Sequence, residues 1–469
     1  MLIVMKFGGA LISKPEKIKR IIEIIKSYIN KGDKVIVVAS AVSKVTDELI
    51  KASKEASLSN WENLKKIIDE LKNLHLNLAE KTIQNKEILK DLTLELKSLI
   101  EELKETLFSI ARLKELTPRS EDFILSFGEK LSCAIICAVA KDEGLKAKWI
   151  TGCEAGIITN DEFGNAKPLF NLSSQKLNSN LMPLLNENIV PIVAGFNGCT
   201  PEGVVTTLGR GGSDYTATII AAALKANEVL LWKEVDGLMT ADPKIEPKAK
   251  TIRVISYAEA SEIAYFGAKI IHPRALKPVI EAEIPVRIKN AFNLNDPGTL
   301  IVKEQKIKPK EVVKAISFIK EVGLINVSGS EMVGTPGIAA RVFKILGDNG
   351  INILMISQGS SEVNISFAVP RESLNKAVNL LELNLLDGEI VKEVSSESDV
   401  CIVAVVGAGM KGTPGVAARV FKAVAEKGVN VRMIAQGSSE LNISFIVKEL
   451  DGPKAVNALH EEFKLSEEK

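Results

Sequence analysis

Histidine is nearly missing from this chain. Its 469 residues hold three, His75, His272 and His460, scattered and without another strong ligand at metal spacing beside them. A histidine-built zinc centre and a Ser-His-Asp triad are therefore not expected, and any chemistry has to run on lysine, arginine, carboxylates and backbone. The five cysteines are an odd number with no Cys-x-x-Cys pair. Cys133 and Cys137, one helical turn apart, read as core residues, and a reducing cytoplasm is the expected location. No apolar run reaches membrane-spanning length, and residues 1–5 before Lys6 read as a buried strand, not as a secretory leader. A net charge of +1 gives no reason to expect nucleic acid or a membrane surface as partner. Two glycine fingerprints are absent as well. There is no Gly-x-x-x-x-Gly-Lys-Ser/Thr P-loop, and no Gly-x-Gly-x-x-Gly follows the first apolar run, which lowers the case for a dehydrogenase.

What is present points to two or three domains. Over the first ~300 residues, short β-branched runs without polar alternation (2–5, 35–39, 189–194, 229–232, 286–288) alternate with helical patterns such as 18–28 and 131–140. Such runs fit strands buried on both faces, so an open three-layer α/β domain with a mainly parallel sheet is expected. Ligands in such sheets bind at the carboxyl ends of strands. Residues 60–114 differ, with leucine and isoleucine at three- and four-residue steps and charge elsewhere. Two long antiparallel helices inserted into the α/β domain are expected there, with His75 packed on their apolar stripe. The lysine-rich segment 303–310 reads as a linker. Beyond it lies a repeat offset by 78 positions: Met332-Val-Gly-Thr-Pro-Gly recurs as Met410-Lys-Gly-Thr-Pro-Gly, and Gln358-Gly-Ser-Ser-Glu-Val-Asn364 as Gln436-Gly-Ser-Ser-Glu-Leu-Asn442. Each copy reads strand, helix, strand, strand, helix, strand, a ferredoxin-like order.

Two turns carry the chemistry. Thr206-Thr207-Leu208-Gly209-Arg210-Gly211-Gly212-Ser213-Asp214 sets one permanent cation in a glycine-rich turn. The apolar stretch after it reads as a helix whose positive end points back at the same spot, so the turn suits a small anion. Lys6-Phe7-Gly8-Gly9 places a lysine where it could neutralise charge on a transferring phosphoryl group, with glycines that let backbone N–H groups approach.

Together with Ser40-Ala41, Thr46-Asp47, Leu116-Thr117-Pro118-Arg119-Ser120, Phe127-Gly128-Glu129, Thr240-Ala241-Asp242-Pro243 and Phe266-Gly267-Ala268-Lys269-Ile270-Ile271-His272-Pro273, these turns resemble the amino-acid kinase superfamily, and within it aspartate kinase. The resemblance covers nearly the whole chain, and the repeat resembles a tandem pair of ACT domains. It implies a three-layer α/β catalytic domain at 1–304 with the helical insertion at about 60–114. It implies ferredoxin-like (βαββαβ) ACT domains at 313–390 and 391–469, with strand exchange between them possible. The reaction implied is ATP plus L-aspartate to 4-phospho-L-aspartate plus ADP, at the head of lysine, threonine and methionine synthesis. An aspartate β-carboxylate is already ionised near pH 7 and needs no general base, which suits a chain poor in histidine. Mg²⁺ is expected mainly on the nucleotide phosphates, with no metal site of the protein's own.

In the implied site, Arg210 holds the substrate α-carboxylate and Glu129 its α-ammonium, while Ser40, Ala41, Thr46 and Ser213 contact the substrate. Lys6, with Gly8 and Gly9, serves the γ-phosphoryl, and Lys269 is a second cation on the phosphates. Asp214 orients Lys6 or the substrate amine. Lys233, Glu234, Met239 and Lys244 occupy nucleotide-side positions. Trp232 is read as core and His272 as structural. The chain departs from the pattern at Ala10-Leu11, where many relatives have Thr-Ser, and at Met239 and Lys244. The ACT pair implies feedback by an amino acid, with threonine favoured over lysine. Its candidate contacts are Met332, Gly334, Gln358 and Asn364 in the first copy and Met410, Gly412, Gln436 and Asn442 in the second. A homodimer or homotetramer through the ACT domains is expected. Another amino-acid kinase, acting on a glutamate derivative or carbamate, and a catalytically inactive ACT sensor stay open as alternatives.

Overall fold

The computed structural model describes residues 1–266, 271–303, 312–386 and 390–467. Lys269 and most of the 303–310 linker lie outside the described residues. The chain forms two compact units. The first takes Met1–Leu238, Arg253–Tyr257 and 271–303; the second takes 239–252, 258–266 and 312–467. This division differs from a boundary at 304 in two excursions, 239–252 and 258–266, that pack with the second unit.

The first unit begins β1 (Leu2–Phe7), α1 (Pro15–Ile29), β2 (Lys34–Ala39), α2 (Val45–Ser57), then α3 (Trp61–Thr82) and α4 (Lys86–Leu113). There follow α5 (Pro118–Leu125), α6 (Phe127–Asp142), β3 (Ala147–Ile150), α7 (Gly152–Ala155), α8 (Phe170–Asn186) and β4 (Val190–Ala194). The hairpin β5 (Asn197–Cys199) and β6 (Val205–Thr207) leads into α9 (Gly212–Leu224) and β7 (Glu228–Lys233). Last come β8 (Val254–Ser256), α10 (Tyr257–Tyr265, divided between the units), α11 (Pro273–Ala282), β9 (Val286–Asn290) and β10 (Thr299–Val302). The sheet order is β3-β4-β2-β1-β7-β9-β10-β8. All pairings are parallel except β9 with β10. Ile3, Val4, Met5 and Phe7 of central β1 are all at most 1% exposed, as a strand covered on both faces requires.

Helices α3 and α4 fill the stretch between Asn60 and Lys114. Each is opened by an asparagine N-cap, Asn60 to the Asn63 N–H and Asn85 to those of Glu87 and Ile88. Leu64, Ile68, Leu71 and Leu78 on one helix and Leu92, Leu96, Ile100, Leu103 and Leu107 on the other join the main core. His75 is fully buried among them; its Nδ1–H donates to the Leu71 carbonyl at 2.7 Å, and burial drops its pKa to about 4. The run Pro118–Asp142 is long and apolar enough to cross a membrane by length and composition, contrary to the expectation that no stretch is. However, 89% of its most apolar window is buried inside the protein, so α5 and α6, which make up this run, serve as core helices.

The cysteines behave in two ways. Cys133, Cys137 and Cys401 are buried thiols, whereas Cys153 on α7 and Cys199 on β5 form a disulfide across 46 residues. The sequence pointed to reduced thiols throughout, and no local spacing announces this pair.

The second unit contains β11 (Ala315–Ser328), α12 (Ile338–Asp348), β12 (Met355–Gln358), β13 (Asn364–Pro370) and α13 (Leu374–Leu385). The second copy supplies β14 (Glu393–Val406), α14 (Val416–Glu426), β15 (Val431–Ala435), β16 (Asn442–Lys448) and α15 (Gly452–Glu462). All six strands form one antiparallel sheet, ordered β12-β13-β11-β14-β16-β15. The first half of β11 pairs with the second half of β14 (Ala315↔Val406), and the second half of β11 with the first half of β14 (Ser328↔Glu393). In the second copy no strand follows α15 among the described residues, and the first half of β11 stands in the place of its fourth strand. The excursion 239–252 is anchored here: Ala241, Ile245 and Ala249 join the apolar core of the second copy. Thr240 accepts the Ile316 N–H at 2.8 Å, and its hydroxyl lies 3.0 Å from His460 Nε2.

Candidate active site

Three parallel strands end side by side. In register, Lys6 on β1 stands between Val38 of β2 and Leu231 of β7, so the turns at Gly8-Gly9, Ser40-Ala41 and Lys233-Glu234 share one edge. The first two turns nearly touch: a Cβ on Gly9 would lie 2.4 Å from the Ala41 carbonyl oxygen, so only glycine fits. After Gly9 the chain makes a 3₁₀ turn that buries Leu11 and Ile12 in the core. This gives a packing role to the leucine at the departure Ala10-Leu11.

Helix α9 aims its first turn at this edge. Lys6 Nζ lies 2.6 Å from Asp214 Oδ1, and Lys233 Nζ reaches Oδ2 of the same carboxylate at 3.2 Å. Burial alone would raise the Asp214 pKa, but Lys233 and Lys6 overcome it and hold the carboxyl at about 2. Burial lowers Lys6 to about 8, with Asp214 working against the shift. Two cations therefore share one anion, which leaves an excess positive charge where a polyanion would be met.

Glu129, in the first turn of α6, is 3% exposed. Its Oε1 accepts the Ala41 N–H at 3.0 Å, while Oε2 is buried without a hydrogen-bond partner among the described residues. Burial pushes its carboxyl up to about 8. An orphaned buried carboxylate oxygen is costly unless a cationic donor from a ligand completes it. Ser40 is held through its carbonyl by Ser132 Oγ at 2.7 Å, and Thr46 is half-buried in the first turn of α2.

Arg210 sits between Gly209 (φ 72°) and Gly211 (φ 74°), both left-handed, and its side chain is exposed. It makes no hydrogen bond or ion pair with any described residue, which leaves a guanidinium fork available. Ser213 is buried against Gly195, where a Cβ would meet Ser213 Cβ at 2.8 Å. His272 caps α11, accepting the Arg274 N–H at 3.3 Å, and its ring backs Gly211. Trp232 is 1% exposed and stacks on Phe7 at 6.2 Å, a core position.

Glu234 is exposed and pairs with Lys17 at 2.5 Å. Met239 and Lys244 belong to the second unit, where Met239 Sδ accepts the Thr251 hydroxyl at 3.5 Å. Lys269 lies outside the described residues. In the ACT copies, Met332 and Met410 face their cores at 3% exposure, so only their backbone is open to an effector. The expected anion-binding N–H groups are already engaged: Gly334 donates to Glu362 at 3.0 Å and Gly412 to Glu440 at 2.7 Å. Gln358 and Gln436 are exposed, and Asn442 is held by Glu262 of the 258–266 excursion. Two residues not singled out from sequence, Asp122 and Arg274, flank the Arg210 turn. The signals were there, since Arg274 follows directly on the motif that ends at Pro273 and Asp122 stands two positions past the one that ends at Ser120.

The amino acid kinase family profile matches residues 1–290, and an ACT domain profile matches 325–385 and 403–463. Aspartokinase 1, chloroplastic, of Arabidopsis thaliana is 36% identical over 470 residues, covering 98% of this chain and 80% of that protein. The chain spans half the length of a bifunctional aspartokinase/homoserine dehydrogenase from the same plant, at 34% identity and with 98% of the chain covered. Among solved structures, E. coli aspartokinase III in complex with aspartate and ADP (R-state) gives a TM-score of 0.83 at 28% identity, covering 98% of this chain and 99% of that one. The same enzyme with lysine and aspartate (T-state) gives 0.81 at 28% identity, with the same coverage. By its residues, its fold and these likenesses, the chain belongs to the aspartokinases, members of the amino acid kinase family that carry ACT domains.

Proposed function

We propose that the chain transfers the γ-phosphoryl group of ATP to the β-carboxylate of L-aspartate, giving 4-phospho-L-aspartate and ADP. The observation that carries this reading is Glu129, a buried carboxylate with one unpartnered oxygen beside the Lys6–Asp214–Lys233 cluster. In it the α-ammonium completes Glu129 and the α-carboxylate takes the Arg210 fork, which leaves the β-carboxylate toward Lys6. A β-carboxylate oxygen bonds to the γ-phosphorus as the bond to the ADP oxygen breaks, and no proton has to move. The barrier is the approach of one anion to another, and Lys6 with Lys233 lowers it electrostatically. Lys6, Gly8 and Gly9 take the phosphate side. No group of three or more histidine, cysteine or acidic side chains able to hold a metal occurs among the described residues. Mg²⁺ would enter on the phosphate oxygens of the nucleotide, where it would supply charge neutralisation.

The product opens the route to lysine, threonine and methionine, and the ACT pair makes the enzyme feedback-regulated. Threonine is favoured over lysine as effector, because the Gln-Gly-Ser-Ser-Glu-x-Asn-Ile-Ser runs that begin at Gln358 and Gln436 resemble those of threonine-sensitive aspartate kinases more than lysine-sensitive ones. The E. coli relative, by contrast, has been solved with lysine. A homodimer or homotetramer through the ACT domains and a cytoplasmic location complete the reading, although the Arabidopsis relatives are chloroplastic by name. The deciding experiment is Mg·ATP-dependent ADP release with aspartate, glutamate and N-acetylglutamate, each repeated with threonine or lysine added. Release with aspartate alone, suppressed by threonine, is expected. No aspartate-dependent release would sink the reading.

A further inference from the structure

The Arg210 turn is gripped from two sides by residues that belong to no turn of the proposed site. On one side stands Asp122 of α5, 1% exposed. Its Oδ2 accepts the Thr207 N–H at 2.7 Å and its Oδ1 the Thr207 hydroxyl at 2.6 Å, while the Gly164 N–H donates to both oxygens at 2.9 and 3.0 Å. On the other side stands Arg274, the second residue of α11. Its Nη1 donates to the Leu208 carbonyl at 3.0 Å and to the Asn165 side chain, and its Nη2 to the Ala166 carbonyl at 2.7 Å. The guanidinium also lies over the Tyr215 ring on α9, 4.9 Å from its centroid.

These contacts close a ring. Asp122 joins Gly164 to Thr207, Ala166 donates its N–H to the Thr207 carbonyl at 2.9 Å, and Arg274 joins Asn165 and Ala166 to Leu208. The two residues that leave this ring are Gly209 and Arg210. Gly209 sits so close to Asn165 that a Cβ would be 2.9 Å from its side-chain oxygen, and a Cβ on Gly211 would be 2.5 Å from His272 Cβ. Among the described residues Arg210 has no side-chain hydrogen-bond or ion-pair partner, so the backbone of this turn sets where its fork is presented. A planar fork donating to three oxygens while stacked on a ring is a job for arginine and not lysine, whose ammonium can neither fork nor stack in this way.

We infer that Arg274, with Asp122 opposite it, is a positioning residue for aspartate recognition: it touches no substrate but fixes the turn that aims Arg210. This rests on the reading of Arg210 as the α-carboxylate contact. Misplacement of a binding group by about 1 Å costs about a hundredfold in rate, so loosening the turn should be felt on aspartate and not on ATP.

The test compares Arg274→Gln, Arg274→Lys, Asp122→Asn, Arg210→Ala and the double variant Arg210→Ala/Arg274→Gln by steady-state kinetics, with melting temperatures alongside. Expected are a rise of aspartate KM of about tenfold or more in Arg274→Gln, an intermediate rise in Arg274→Lys, and ATP KM within about twofold of the parent. Arg210→Ala added to Arg274→Gln should raise aspartate KM little beyond Arg210→Ala alone, because both act through one guanidinium. Effects that multiply, or that fall equally on ATP, overturn the inference. So does an unchanged aspartate KM in Arg274→Gln while Arg210→Ala raises it, and that outcome leaves the reading of Arg210 standing. If Arg210→Ala itself spares aspartate KM, both fall. Should Arg274→Gln not fold, the same split between aspartate and ATP is required of Arg274→Lys and Asp122→Asn, and its absence is equally decisive.

Discussion

Asp214 is shared: one oxygen lies 2.6 Å from Lys6 Nζ, and the other 3.2 Å from Lys233 Nζ. Removing it leaves a buried cation without its anion, since Lys6 is 6% exposed. Asp214→Ala should therefore lower unfolding stability by about 3 kcal/mol, read from urea midpoints near pH 7. Adding Lys6→Met to Asp214→Ala should return part of that stability while activity stays absent. If the double variant is less stable than Asp214→Ala, Lys6 is not the cation that Asp214 neutralises.

Glu129 fixes a pH dependence. Its carboxyl is pushed up to about 8, and only the ionised form attracts an ammonium. Aspartate KM should therefore fall by about tenfold or more between pH 6.5 and 8.5, as the ionised fraction grows. Glu129→Gln should start from a high KM and lose this slope. A flat KM profile in the parent protein would separate Glu129 from the substrate amine.

His75 makes a second and independent prediction, about stability. Its folded pKa is about 4 against an ordinary 6.5, so the unfolded chain takes up a proton first as pH falls. The stability tied to neutral His75 is fully present above pH 6.5 and is lost as pH falls through 4, about 3 kcal/mol in all. His75→Leu should keep most of the stability at pH 7 and unfold less readily than the parent near pH 4. Parallel losses in the two proteins would show that other groups govern acid unfolding.

The Cys153–Cys199 link closes a loop of 46 residues that contains β4, so it restricts the unfolded chain more than a short loop would. Reduction should lower the urea midpoint by the equivalent of about 2–4 kcal/mol, and Cys153→Ser/Cys199→Ser should match the reduced protein. Thiol counting under denaturing, non-reducing conditions would find two blocked cysteines. Five free thiols would rule the link out.

Much of the fold was legible because its signals are local. The strand 2–5, the helical insertion and the 78-residue repeat are each written in the period of neighbouring side chains. Lys6, Glu129 and Asp214 stood out for a related reason: a glycine or a helix start beside a charge marks a strand-end turn. What stayed hidden depends on distant pairing. Sequence left the partner of Asp214 undecided, and the answer includes Lys233, 19 positions on, which comes into reach where α9 packs beside β7. Arg274 meets Leu208 across 66 positions, and Cys153 meets Cys199 across 46. The packing of 239–252 with the second unit was hidden for the same reason, since Ala241, Ile245 and Ala249 find their apolar neighbours in the last repeat.

The strands β11 and β14 each run 14 residues, and each crosses from one copy of the repeat into the other. Their pairing is interrupted between Ile319 and Leu324, where Glu321 takes a φ of 58°. The tandem is thus a single beam with one notch. An effector seated in one copy cannot tilt its sheet without loading the other through the same two strands, and any relative bending concentrates at that notch. Half-filling with effector should then shift the whole regulatory sheet at once, and residues 319–324 are where its stiffness can be tuned.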